Sequence, residues 1–287
     1  FRRVLFRSEL RAGDSSLVFS GSVTILDSDS SLLARPLLDI RIIESLLSAE
    51  YLSPKAAGEI EVTGTVRGNL GYPQAELEVS GENIGYQGII LGNISGRMEL
   101  EEGRLILPEL RLNNQGSKII LSGAATILNS ERIGFLENPE IDLKLSGDSL
   151  NLAHFSDRMS GISSLEGELQ GRISQPEGFL SLEGEELGFW GQSVERVAVR
   201  LEMDGDSIRL DDFIAAIAPG ESITGTGIVD ISSESYQVEV TSQNLSLSSV
   251  DYLAGNGSLE GNLKLELSGQ GRLDNPEVEG RLAASNI

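Results

Sequence analysis

Few side chains in this sequence have the types and spacing that catalysis requires. His154 is the only histidine among 287 residues, and cysteine is absent. A Ser-His-Asp relay, a multi-histidine metal site and a thiolate metal site are therefore not expected. His154 stands in "LAHF" between apolar residues, which favours a structural role. Trp190 in "GFWGQS" is interpreted as a residue that packs at a turn.

Two weaker sequence patterns are likewise not interpreted as functional sites. Four acids near one turn loosely resemble a calcium loop, but they lack its ligand spacing and its terminal glutamate: Asp204, Asp206, Asp211 and Asp212. Gly225-x-Gly227 lacks the third glycine and the following helix of a dinucleotide site. We therefore predict no catalytic residue, no metal and no cofactor, and we expect a structural, binding or transport protein.

Net charge and composition exclude several classes of binding partner. The net charge is −22 and aromatic residues make up 5% of the chain. An acidic surface repels nucleic-acid phosphates, so no nucleic-acid partner is expected. No apolar run is long enough for a membrane-spanning helix. The low aromatic content also argues against a carbohydrate- or ligand-binding protein built as a pair of β-sandwiches. Residues 1–8 carry three arginines and no acid, and we interpret them as a non-native leader.

Short motifs return at intervals of about one hundred residues. A glycine followed five residues later by proline occurs in three places, with the prolines 103 and 100 residues apart: Pro73, Pro176 and Pro276. A glycine within a Ser/Thr-Gly context returns every 102 residues: Gly21, Gly123 and Gly225. Landmarks in the same order at nearly equal spacing predict an internal repeat.

The repeat divides the chain without a clear linker. After the leader we predict the end of one repeat at 9–57, full repeats at 58–160 and 161–256, and the start of another at 257–287. Because the chain begins and ends within a repeat, we expect it to be a piece of a longer array.

Each repeat reads as β-structure. Segments such as "VAVRLEM" and "NLKLEL" alternate aliphatic and polar residues with a period of two, which is typical of strands with one buried face. The usual strand spacing predicts about eight strands per repeat. Helix is scarce, with one helical turn expected around Ser48 to Leu52 and a similar short candidate in "LAHFSDRM".

The alternation places fifteen apolar side chains on one face, and we predict that they line a groove. They are Ile60, Val62, Val66, Ile141, Leu143, Leu145, Val197, Val199, Leu201, Met203, Val238, Val240, Leu263, Leu265 and Leu267. A sheet with such a face must hide it, and one way is to curl around apolar contents.

One segment carries a family resemblance. "GSLEGNLKLELSGQGRLDNPEVEGRLAASNI" at 257–287 resembles the repeats of the TamB family, in the AsmA-like group of bacterial envelope proteins. The shared features are Gly-x-Leu-x-Gly, the x-Pro turn and an alternating strand that ends in Asn-Ile. "SSLEGELQGRISQPEGFLSLEGEEL" repeats the pattern, and "GESITGTGIVDI" resembles the strand pair that follows. The match extends over nearly the whole chain after residue 8 and is weakest around 31–53.

The resemblance implies an all-β fold, in which an elongated, twisted, mostly antiparallel sheet curls into an open groove. It also implies a periplasmic bridge protein that supports outer-membrane biogenesis by conducting phospholipids, with protein assembly and secretion as further roles. The implied partners are phospholipid acyl chains, a BamA-like outer-membrane barrel of the TamA type and an inner-membrane anchor, the last two reached through regions outside this chain. The alternative is a structural or adhesive β-solenoid of the cell surface with a filled interior.

Overall fold

A computed structural model describes residues 2–12, 15–25, 37–51, 54–69, 72–129, 134–251 and 260–286. The chain forms two compact units, Phe1–Lys144 and Leu145–Ile287. The described residues are almost entirely β-strand, interrupted by three short 3-10 turns. None of their helices is long and apolar enough to cross a membrane.

The strands of the first unit follow one another along the chain, and the last of them, β9, continues into the second unit. They are β1 Arg2–Ala12, β2 Ser15–Ile25, β3 Leu37–Ser48, β4 Ala56–Asn69, β5 Tyr72–Tyr86, β6 Ile89–Glu101, β7 Arg104–Asn114, β8 Ser117–Leu128 and β9 Phe135–Asn151. A 3-10 turn, η1 Ala49–Tyr51, follows β3, where the sequence predicts one helical turn.

The second unit repeats this organisation. Its strands are β10 Met159–Arg172, β11 Gln175–Phe189, β12 Gln192–Asp204, β13 Ser207–Ala218, β14 Glu221–Asp230, β15 Ser235–Gln243, β16 Leu245–Ser246, β17 Asn262–Arg272 and β18 Asn275–Ser285. Two further 3-10 turns are η2 Leu152–His154 and η3 Leu247–Ser249.

Consecutive strands pair in an antiparallel fashion, and β15 and β16 both pair with β17. All eighteen strands belong to one sheet that is not closed. The predicted all-β, mostly antiparallel fold is therefore confirmed, and an unclosed sheet is consistent with a curled open groove. Consecutive antiparallel hairpins differ from the stacked rungs that a β-solenoid would require.

The predicted number of strands is wrong. Six strands, β5 to β10, occupy the interval between Pro73 and Pro176, where eight were expected. The strands are 11 to 17 residues long in that interval, roughly two to three times the usual length. Several glycines that look like turn signals in the sequence lie inside strands instead. Gly96 and Gly123 are examples.

The recurring Gly–Pro motif is the same hairpin each time. Its glycine is paired directly with its proline across the turn, and the glycine φ is +96°, +91° and +131° in the three copies. The pairs are Gly68 with Pro73, Gly171 with Pro176, and Gly271 with Pro276. A positive φ favours glycine, which explains why this residue recurs there.

The second landmark also has one structural role. Gly21 pairs with Ile40 and Gly225 with Val240, one strand ahead in each case. Gly123 approaches Leu143 in the same way, since a methyl group added at Gly123 would collide with the backbone there. The predicted repeat boundary between 256 and 257 lies outside the described residues.

Candidate apolar face

The second unit has a continuous apolar face, and its two margins are built differently. One margin, which we call the helical margin, holds η2, η3 and the turns after β11 and β13. Among the described residues, the opposite hairpin margin holds only the turns after β10, β12, β14 and β17. Residues that pair across antiparallel strands lie on the same face, so the register defines rows that run across the strands.

Three rows lie nearest the hairpin margin, and we call them the open rows. The first is Leu165, Leu182, Val199, Phe213, Gly225, Val240, Leu267 and Gly280. The second is Gly167, Leu180, Leu201, Leu210, Gly227, Val238, Gly269 and Val278. The third is Leu169, Gly178, Met203, Ile208, Val229, Tyr236, Gly271 and Pro276.

These rows form a wide apolar strip without charge. Every non-glycine side chain that β10 to β17 contribute to them is half-buried. Two residues along a strand span about 6.7 Å and neighbouring strands lie about 4.8 Å apart, so the strip is about 13 Å wide and about 34 Å long. An area of this shape suits extended hydrocarbon better than a compact polar ligand.

Glycines make the strip smooth. A methyl group added at Gly225 would lie 3.2 Å from both Phe213 Cδ1 and Val240 Cγ2. At Gly269 it would lie 3.0 Å from Val238 Cγ1. The large side chains therefore lean over glycines on the neighbouring strands. The result is a low-relief surface without a deep pocket for any one group.

Toward the helical margin the same face is covered. The adjoining row is Ser163, Gly184, Val197, Ala215, Ile223 and Ser242, and only Ile223 among them is half-buried rather than buried. Leu152 of η2 packs there with Leu187, Val194, Val197 and Ala215. Leu247 of η3 packs with Leu245 and Leu263.

The structure separates the fifteen predicted lining residues into two groups. Thirteen are half-buried, while Val197 and Leu263 are buried in the covered part of the face. Six of the thirteen lie in the open rows: Val199, Leu201, Met203, Val238, Val240 and Leu267. Leu145 lies beside them, with its Cβ 3.8 Å from a methyl group added at Gly167. Leu265 lies between Leu263 and Leu267 on the same face of β17.

In the first unit the predicted residues also share one face. Val62 pairs with Val79, and Val66 pairs with Ala75 and with Ile40. The remaining three, Ile60, Ile141 and Leu143, are half-buried on β4 and β9. The first unit therefore has an aliphatic face of its own.

Sequence reasoning missed the lining residues of β13. A β-bulge between Leu210 and Phe213 turns both side chains to the apolar face, although they are three residues apart. Strict alternation would place them on opposite faces. The only signal was the acidic pair Asp211–Asp212, which occupies the bulge and is exposed.

The opposite face carries the charges in ion pairs. Arg196 lies 3.3 Å from Glu183, and Arg209 lies 3.0 Å from Glu202. A hydrogen bond from Arg200 holds the pKa of Glu202 below its usual value. Such exposed pairs contribute little stability each, but they keep this face hydrated.

A depression of about 600 Å³ on the polar face of the first unit is a competing candidate site. Its charged lining includes Glu61, Glu78, Arg97, Glu109 and Arg111. Arg97 pairs with Glu78 and Arg111 with Glu109. Because its arginines already have carboxylate partners, this depression offers a ligand less than the apolar face does.

The residues singled out for possible chemistry lie in or near turns of the second unit. His154 lies in η2, where its Nε2 is 3.3 Å from Asn151 Nδ2. Asp206 is in the turn after β12. Within the described ranges, no three His, Cys, Asp or Glu side chains could together hold a metal ion. Trp190 lies at a turn as expected, but it is 75% exposed rather than packed.

The fold and the face define an open antiparallel β-sheet protein with an uncharged aliphatic surface. No protein-family model, curated protein or solved structure matches the chain.

Proposed function

We propose that this chain is a segment of an envelope bridge protein whose apolar groove conducts phospholipids between the inner and outer membranes, in support of outer-membrane biogenesis. The observation that supports this best is the set of open rows, an uncharged aliphatic strip that crosses eight strands while its side chains on β10 to β17 stay half-exposed. In this proposal the parent protein lies in the periplasm, with an inner-membrane anchor and a BamA-like outer-membrane partner reached through other regions.

The energetics of acyl chains favour such a surface. Each methylene of an acyl chain costs about 0.8 kcal/mol to expose to water. A sixteen-carbon chain in water would therefore cost about 12 kcal/mol, which makes aqueous crossing slow. Contact with the leucine, isoleucine and valine side chains of the open rows would remove much of this cost.

Movement along the strip requires sites of nearly equal affinity. The open rows offer no charged group that would hold a headgroup in one place, and their leaning side chains leave no deep pocket. A chain in contact with one strand would thus find a similar surface one strand spacing away. We expect weak, repeated contacts rather than a single tight binding site.

Photocrosslinking tests the proposal within one strand. Leu201 lies in the open rows, whereas Ala198 on the same strand faces the polar side, paired with Glu183 and Ile214. A benzophenone side chain at position 201 should capture phospholipid from vesicles or cells, as detected by mass spectrometry. The same group at position 198 should not. Equal capture, or none at either position, would leave the chain with a structural role only.

A charge placed on the strip supplies a second test. Leu201→Asp should lower phospholipid transfer between vesicles about tenfold or more, because a carboxylate strongly disfavours contact with hydrocarbon. Ala198→Asp adds the same charge to the polar face and should leave transfer unchanged. Circular dichroism of both variants checks that the sheet persists.

A further inference from the structure

We propose, on the basis of the proposed lipid transport, that the two margins of the apolar face in the second unit have different roles. The helical margin is permanently sealed, and the hairpin margin is the mouth past which headgroups project. Ile173, Ile231 and Leu273 form an aliphatic lip along that mouth. Leu152 and Leu247 are the positioning residues that close the other margin.

The seal is seen in the burial of apolar side chains. All buried hydrophobic residues described in the second unit lie toward the helical margin: Leu150, Leu152, Leu187, Val194, Val197, Ala215, Leu245, Leu247 and Leu263. The clusters around Leu152 and Leu247 both contact Ile217. An acyl chain could lie on this part of the face only by displacing packed side chains, which disfavours entry from this side.

Hydrogen bonds hold the seal in place. Gln192 donates to Ser249 O at 3.0 Å and accepts from Asp251 N at 3.0 Å, while Ser193 N donates to Asp251 Oδ2 at 2.6 Å. Ser246 N donates to the Glu221 carboxylate at 2.9 Å. The segment that contains η3 is therefore tied to the turns after both β11 and β13.

The hairpin margin lacks such a cover among the residues described. Ile173, Ile231 and Leu273 lie in its turns with 56%, 53% and 52% of their surface exposed. The turns form a row joined by hydrogen bonds, since Gly205 N donates to Pro176 O, Ile231 N to Asp206 O and Leu273 N to Glu234 O. These exposed aliphatic side chains thus stand at fixed positions in the turns next to the third open row.

The lip also gives the Gly–Pro motif a use. Ile173 and Leu273 both stand two residues after the motif glycine, in "GRISQP" and "GRLDNP". Leu70 has the same place in "GNLGYP", although it lies outside the described residues. In its two fully described copies, the motif thus combines a hairpin turn with an aliphatic residue in that turn.

Fluorescence quenching by nitroxide lipids tests the assignment on the full chain. The chain has no cysteine, so single substitutions Leu201→Cys, Ile231→Cys and Trp190→Cys place one fluorophore on the strip, the hairpin margin and the helical margin. One probe is phosphatidylcholine with a nitroxide in its acyl chain, and the other carries the nitroxide on its headgroup.

We expect the acyl probe to quench the label at position 201. The headgroup probe should quench position 231 several-fold more than position 190. Equal or reversed headgroup quenching, together with acyl quenching at 201, would overturn the margin assignment and leave the transport proposal standing. Absence of acyl quenching at 201 would overturn both.

The lip itself is tested by removing its aliphatic groups. Ile173→Ser, Ile231→Ser and Leu273→Ser combined should slow phospholipid transfer between vesicles about tenfold, because three contacts with hydrocarbon are lost. The matched control replaces three exposed isoleucines of the polar face, Ile162, Ile214 and Ile228, by serine. That control should transfer lipid at the original rate, and equal slowing in both variants would overturn the role of the lip.

Discussion

Replacing Gly178 by alanine is expected to destabilise the second unit strongly, although it adds only one methyl group. Gly178 lies in the third open row with φ +148°, paired with Leu169 of β10. A Cβ atom there would lie 1.9 Å from the carbonyl oxygen of Glu168 and 3.1 Å from Leu169 Cα. Both obstacles are backbone atoms, so no side-chain rotation relieves the collision.

Two contributions set the magnitude. The unusual φ costs a non-glycine residue about 1–3 kcal/mol. Relief of the collision requires β10 and β11 to separate locally, which sacrifices hydrogen bonds between them at about 1 kcal/mol each. We therefore expect a loss of about 4 kcal/mol in the free energy of unfolding, toward the upper end for single substitutions.

Gly191 provides the matched control in the same hairpin. Its φ is +86°, but a Cβ atom there would meet nothing within 4 Å. Gly191→Ala should thus carry only the backbone cost, about 1–2 kcal/mol. Urea unfolding followed by far-ultraviolet circular dichroism gives both values. Equal losses for the two variants would refute the argument that close strand approach requires glycine at position 178.

Three further predictions concern buried polar groups and pH, and urea unfolding measures each. The Ser163 hydroxyl is buried with no hydrogen-bond partner among the described residues. Ser163→Ala should therefore raise the free energy of unfolding by about 1 kcal/mol. A decrease in that free energy would show that the hydroxyl does have a hydrogen-bond partner. Ser45 Oγ accepts a hydrogen bond from Val62 N at 2.6 Å and donates one to Val62 O at 2.7 Å. Ser45→Ala should lower the free energy of unfolding by about 2 kcal/mol, and an unchanged value would contradict this. The pKa of Glu221 is lowered, chiefly by the hydrogen bond from the backbone N–H of Ser246. The ionised carboxylate therefore stabilises the folded chain above pH 4.5, and this stabilisation is lost as the pH falls further. The free energy of unfolding of Glu221→Gln should differ from that of the original chain at pH 7 and approach it at low pH. A difference that stays constant with pH would contradict this cause.

The repeat and the Gly–Pro hairpins that recur in it could be predicted from the sequence because they depend on local chemistry. The Gly–Pro hairpin needs a residue that accepts positive φ opposite one that cannot donate a ladder hydrogen bond, and both requirements appear directly in residue type. The period-two alternation similarly predicts the apolar side of β12 and β17. The number of strands could not be read in this way, because a glycine within a strand and a glycine in a turn look alike in one sequence.

The sequence alone determined an all-β chain with one aliphatic face, an acidic polar face and a period of about one hundred residues. Only the tertiary structure decided which part of that face is covered. Val197 and Val199 are identical in the alternation pattern, yet Val197 is buried beneath contacts from η2, whereas Val199 lies in the open rows. The physical reason is that alternation records which side of a strand a residue faces, while burial depends on segments such as η2 and η3 that return to the sheet from distant positions in the chain.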